Sequence, residues 1–128
     1  MKRDARIKAM QILYTCDFQN IEIKEAIELD EQPDGMALDM ASFCYAHIAQ
    51  VDELISSTLE NYTIDRLNLV DKAIIRLAVS EMLNGKEPRQ VIINEALEIT
   101  KLYTDTGDHK AVSFNNRLLD NIHKKLKV

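Results

Sequence analysis

The chain has 128 residues, enough for one domain that hides roughly two thirds of its unfolded surface, so neither a disulfide framework nor a structural metal is needed to hold it together. With 5% aromatic residues, three glycines and two prolines it lacks the material for the turns and pleated faces of a β protein, and an all-α bundle is expected. The net charge of -5 argues against a protein that coats nucleic acid indiscriminately, and no apolar run is long enough to span a bilayer.

Charge is unevenly distributed. Between Asp17 and Asp39 eight acidic residues stand against Lys24 alone, a local net of -7, so the remainder must carry +2 to reach -5. A basic surface can exist if that segment faces away from it. Cys16 and Cys44 lie in apolar helical patterns without a CxxC neighbour and read as buried free thiols of a reducing cytosol. The charged start is followed by no apolar h-region, so no signal peptide is expected.

Residues 3 to 19 read as a first helix whose buried stripe is Ala5, Ala9, Ile12, Leu13 and Cys16. Arg3, Arg6, Met10 and Tyr14 share the flank beside it, which brings cations and an aromatic ring onto one strip. A solvated helix end is the plainer reading of Lys2, Arg3, Arg6 and Lys8. Cations in a first turn nevertheless oppose the helix dipole unless an anionic partner offsets them, which hints at phosphate binding. Glu22 to Leu29 forms a short helix, and the Pro33-containing stretch from Asp30 to Gly35 is a turn on a solvated, mobile edge. From Met36 to Tyr62 the pattern is one long helix, or two bent near Gln50 to Asp52, and 61–68 is a link.

The structural centre is Ile64 to Tyr103, two apolar helices meeting at Gly85-Lys86-Glu87-Pro88. Asn68 caps the first, with Asp71 three residues on, and Val70, Ile74, Leu77, Ala78 and Met82 form its buried face. Gly85 suits a left-handed helix end, and Pro88 suits the first turn of the next helix, where its missing N–H has no helical partner. Val91, Ile92, Ile93, Ala96, Leu97, Ile99 and Leu102 cover so much of the second helix that it is expected to be the most buried one. After a loop, Asp108 caps a last helix with the stripe Ala111, Phe114, Leu118, Ile122 and Leu126, broadened by Val112 and Leu119. Lys124, Lys125 and Lys127 complement its dipole.

No active site or metal centre is expected. Glu95 and Glu98 share a helix face, but a bundle metal site needs Glu and His from facing helices and an ExxH pattern, which the chain lacks. Asn94 or Glu95 is better read as bonding a neighbouring helix, and Glu98 with Lys101 as a surface ion pair. His47, His109 and His123 form no HxxxH pair, the serines have no GxSxG context, and the isolated glycines make no phosphate loop. No cofactor is implied. Phe114 by default is core, while Asn115, Asn116 and Arg117 beside it also suit reading single-stranded bases by stacking and edge hydrogen bonds, and spacing alone does not decide between them.

Four segments in this order, ARIKAMQILY, DRLNLVDKAIIRLAVSEML, P..VIINEALEITK and F.N..LD.I, resemble the NusB family of transcription antitermination factors over nearly the whole chain; the third is the most specific. The resemblance implies a single NusB-like RNA-binding domain over residues 1–128, a compact bundle of about six to seven helices in two packed three-helix-type subdomains. It also implies a bacterial, cytoplasmic, non-enzymatic protein that binds boxA RNA with the small-subunit ribosomal protein NusE and joins the transcription elongation complex during ribosomal RNA synthesis.

In NusB-like proteins RNA lies along the first helix and the start of the last. Carried over, this singles out Arg3, Arg6, Gln11, Tyr14, Lys72, Phe114 and Asn116, with Lys2 and Arg117 added by charge and neighbourhood; the protein partner is expected on Tyr62, Arg66 and Asp71. The chain departs from the family in having fewer N-terminal arginines, a slightly expanded loop before Phe114, and Asn115-Asn116-Arg117 where an Asn-Gly pair is usual. Arg117 either supplies charge or obstructs close approach. Other readings are a NusB-like targeting domain of an RNA cytosine methyltransferase and a helical adaptor without an RNA role. The sequence leaves monomer and homodimer open.

Overall fold

The computed structural model describes residues 2–31 and 34–127. Among them all regular structure is helical: α1 (Lys2–Gln19), α2 (Ile23–Glu28), α3 (Gly35–Ala46), α4 (Ile48–Thr58), a 3₁₀ turn (Ile64–Arg66), α5 (Leu69–Asn84), α6 (Arg89–Tyr103) and α7 (Lys110–Leu126). Gln32 and Pro33, in the expected turn-rich edge, lie outside the described residues. No described helix is long and apolar enough to cross a membrane.

The first three helices pack on one another, α4 to α7 do likewise, and α5 lies at the junction against α1, α3, α4, α6 and α7. The two expected subdomains are therefore three helices against four. Pairs such as Arg6 with Glu81 and Asp17 with Arg76 show that α1 and α5 run antiparallel, so the start of α1 lies beside the end of α5.

That central position corrects one expectation. The most enclosed helix is α5, with Lys72–Ile75, Leu77–Ser80 and Met82 all buried, whereas α6 packs chiefly on α5 and α7 and leaves Val91 40% and Leu102 64% exposed. Apolar coverage on the α6 wheel exceeds what its two neighbours can hide.

The caps explain where the helices stop. Asn68 Oδ1 accepts from the Val70 and Asp71 N–H groups at 2.8 and 3.3 Å, which starts α5 as expected. Gly85 ends it at φ 72°, the left-handed region that glycine enters without Cβ strain. Pro88 takes the cap position of α6, one residue before the expected first turn. The break between α3 and α4 falls at His47, earlier than Gln50 to Asp52, because the His47 ring turns back to hydrogen-bond the Phe43 carbonyl through Nδ1 at 2.8 Å and stacks on the Phe43 ring. His109 occupies the cap position of α7, while Asp108 Oδ1 accepts from the Lys110 N–H at 3.1 Å.

In α7 Leu118, Leu119 and Ile122 are buried as expected, and the difference lies near the start of the helix. Asn115 is fully buried and Phe114 is 39% exposed, so the default core reading of Phe114 is corrected: α5 and α6 cover the Asn115 side of the helix. Cys44 is buried with its thiol against the Arg76 carbonyl, and burial pushes its pKa up to about 12. Cys16 is only half-buried.

Candidate nucleic-acid and partner surface

The N-terminal cations meet carboxylates from the end of α5, the following turn and α6. Arg6 Nε lies 3.0 Å from both Glu81 oxygens, with Nη2 3.6 Å from Glu87 and Nη1 3.8 Å from Glu95. Arg3 grips Glu95 in a two-pronged pair at 3.0 and 2.8 Å, and Lys2 pairs with Glu87. Three cations thus face three anions, and the cluster is locally neutral. The anion that the dipole argument asks for is supplied by the chain itself.

This places Arg6 and Met10 inside the protein, 3% and 2% exposed, and not on a solvated flank. Arg3 and Lys2 remain half-open, with side chains 46% and 52% exposed. The signal for the anionic half was partial: Glu95 was legible as a group bonding a neighbouring helix, but nothing local marked Glu81 or Glu87. Glu95 and Glu98 do not act as a pair, because Glu98 turns to Lys101 at 3.2 Å, as expected. Among the described residues no cluster of His, Cys, Asp or Glu is arranged to hold a metal ion.

The hydrogen bond from Arg3, followed by the charges of Arg3 and Arg6, holds the Glu95 carboxyl below the ordinary glutamate range against an opposing effect of burial. A depressed folded-state pKa means that the unfolded chain binds more protons, so this stabilisation is present above the ordinary glutamate pKa and lost as pH falls through the folded one. Glu95→Gln is expected to lower stability by a constant amount at and above neutrality and to converge with the parent as pH falls toward 3, as measured by urea unfolding from pH 3 to 8.

The other candidates from α1 and α5 divide differently. Tyr14 is half-buried and stacks on Phe18 at 5.5 Å and 9°, with Phe18 64% exposed, so an aromatic face reaches the surface there. Gln11 is exposed on the rim of a 210 Å³ cleft that also touches Thr15 and Leu29. Lys72 is 8% exposed, its ammonium 3.5 Å from Asp17. Asp17 is shared with Arg76, which also forms a two-pronged pair with Asp52 at 2.8 and 2.7 Å. Lys72 is thus bound into an internal network.

At the start of α5 a second surface forms. Tyr62 donates its hydroxyl to the Arg66 carbonyl at 3.0 Å, which folds the linker into a tight turn, and its ring lies 5.8 Å from that of Phe114. Next to Phe114 in the chain, Asn115 Nδ2 donates to Asp71 at 3.2 Å and to Thr100 Oγ1 at 3.1 Å, tying α5, α6 and α7 together. Phe114 and Arg117 also line a 280 Å³ cleft with Asn61 and Asn121. Asn116 and Arg66 are exposed. Tyr62, Asp71 and Phe114 are therefore joined, while the cation cluster sits toward the other end of α5, about 15 Å along its axis at 1.5 Å per residue between Asp71 and Glu81. Asn115, fully buried, is held by Asp71 and Thr100 and is not placed to read bases, and periodicity missed its place in the core because a polar group on a buried face gives no hydrophobic signal.

The NusB family model matches residues 3–124. The chain belongs to the NusB family. It is 42% identical over 130 residues to the transcription antitermination protein NusB of Bacillus pumilus (strain SAFR-032), covering 98% of this chain and 97% of that relative. Its fold is similar to that of T. maritima NusB, with a TM-score of 0.84, 30% identity and coverage of 98% of this chain and 92% of the other. A chain in a crystal structure of the antitermination factors NusB and NusE in complex with double-stranded RNA aligns with a TM-score of 0.78 and 28% identity, over 97% of this chain and 96% of that one. This NusB-family chain thus has antitermination proteins, not enzymes, as relatives.

Proposed function

We propose that the chain is a cytoplasmic transcription antitermination factor that binds boxA-type single-stranded RNA as a heterodimer with NusE and joins the elongation complex to support ribosomal RNA transcription. The observation that supports this reading is the contact between the Tyr62 and Phe114 rings, which sets a residue expected to meet protein beside one expected to meet RNA. A partner seated on Tyr62, Arg66 and Asp71 would border RNA stacked on Phe114 and bonded by Asn116 or Arg117. The strip of Arg3, Tyr14 and Gln11 continues the path along α1, with Lys2 at its N-terminal end, Arg6 shaping it from within and Lys72 holding its inner side through Asp17.

Charge supports dependence on the partner. The net charge is -5 and the cations of α1 are already paired, so the chain alone offers phosphates little attraction. RNA binding is expected to be weak for the chain alone and much tighter, with a steeper salt dependence, once NusE is bound. Titration of labelled boxA RNA with and without NusE tests this, and equal affinities would overturn it. A double-stranded RNA of the same sequence, included in the same titration, is expected to bind less tightly.

A further inference from the structure

The N-terminal charge cluster contains one fixed cation and one exchangeable cation. Arg6 is 3% exposed and shares both oxygens of Glu81, so moving it out would strand a buried charge. Arg3 is different. Its pair with Glu95 lies at the surface with the arginine side chain 46% exposed, and pairs of that kind contribute little to stability. A phosphate oxygen pair presents the guanidinium with the same two-acceptor geometry as a carboxylate.

Glu95 would not be left without a counter-ion if Arg3 turned away, because Arg6 Nη1 is 3.8 Å from its Oε1. We infer that Glu95 is a stand-in for RNA phosphate: it holds Arg3 in the free protein, yields it to a backbone phosphate when RNA binds, and so sets how tightly and how selectively the α1 surface takes RNA. The carboxylate keeps Arg3 from casual anions, and only a polyanion also held elsewhere on the surface displaces it. Glu95 is then a selectivity residue and Arg3 the group that touches the ligand. This rests on the RNA-binding reading proposed above.

The test uses the chain in complex with NusE and labelled boxA RNA, with the salt dependence of binding measured for each variant. Glu95→Gln keeps the side-chain shape and removes the competing charge. It is expected to tighten RNA binding about two- to five-fold, the range a surface ion pair can supply. Glu53→Gln, which neutralises an exposed carboxylate on α4, makes the same change in net charge and is expected to produce less than half that gain. Arg3→Ala is expected to weaken binding and lower the salt slope by about 0.7, the loss of one single-strand phosphate contact. In the Arg3→Ala background the gain from Glu95→Gln is expected to vanish.

A gain no larger than that of Glu53→Gln, or one that survives without Arg3, overturns the inference while the RNA-binding reading stands. Should Glu95→Gln fail to fold, Arg3→Ala decides alone, and an unchanged salt slope refutes the exchange. If the unaltered complex does not bind RNA, the proposed function itself fails and this inference falls with it.

Discussion

Replacing Arg6 by alanine is expected to lower the free energy of unfolding by about 3 kcal/mol, as read from the urea midpoint at neutral pH. Breaking a buried ion pair by removing one partner costs about 3–5 kcal/mol because the other charge is left uncompensated, and the lower end applies since water reaches part of each carboxylate. The Glu81, Glu87 and Glu95 side chains are 13%, 19% and 20% exposed, against 4% for Arg6. Removing the guanidinium leaves three carboxylates gathered around a cavity with only Lys2 and Arg3 at its rim.

The neighbouring substitution sharpens the prediction. Arg3→Ala, which removes a half-exposed surface pair, is expected to change stability far less than Arg6→Ala does. Glu81→Gln in the Arg6→Ala background is expected to restore part of the loss, since it removes one of the stranded charges, and the two effects should be strongly non-additive. Equal stabilities of Arg6→Ala and Arg3→Ala would show that Arg6 is not the anchor of the cluster. Reduced RNA binding by Arg6→Ala then follows from altered packing of α1 on α5, because Arg6 reaches a phosphate only by leaving Glu81.

The contrast between Arg3 and Arg6 shows what kind of information the chain carries in its order of residues. Both belong to one helical turn, and periodicity assigns both to the same flank; only the partners, 75 and 92 residues away, make one structural and the other open. Elements with local causes were legible. The Asn68 cap, the left-handed Gly85 and the apolar spacing of α5 depend on neighbours within a few residues, and each stands where the sequence places it, as does the Glu98–Lys101 pair.

What was not legible depends on which helices cover which. The excess of apolar groups on α6 marks a buried helix only if neighbours surround it, and α5 has them instead. Likewise, at the start of α7, the cover supplied by α5 and α6 puts Asn115 in the core and leaves Phe114 at the surface. Phe114 carries the apolar signal, yet Asn115 is the residue that meets Asp71 and Thr100. The break at His47 has a local cause in its bond to Phe43, but a histidine carries no helix-ending signature comparable to glycine or proline.

That buried amide carries the second large prediction. Asn115 donates from Nδ2 to Asp71 and to Thr100, its Oδ1 has no hydrogen-bond partner, and the side chain is fully enclosed. Asn115→Asp preserves the shape but replaces a donor facing a carboxylate with a second carboxylate. Two such groups cannot readily both ionise in that space, so the folded state favours the form in which one carries a proton, and ionising both costs stability at neutral pH. The sign is opposite to that for Glu95. A raised folded-state pKa means that the native protein binds the extra proton, so the penalty is absent below the unfolded aspartate value and grows as pH rises toward the folded one.

Asn115→Asp is therefore expected to approach the parent stability near pH 4 and to fall far below it at pH 7.5. Asn115→Leu, which cannot titrate, is expected to show a constant deficit of about 2 kcal/mol from the lost hydrogen bonds. A pH-independent deficit in Asn115→Asp would mean that Asp71 is not held against this position. Because the same contact holds Asp71, a residue expected to face the partner, both variants are also expected to weaken NusE binding, and the aspartate variant should recover part of it as pH is lowered toward 5.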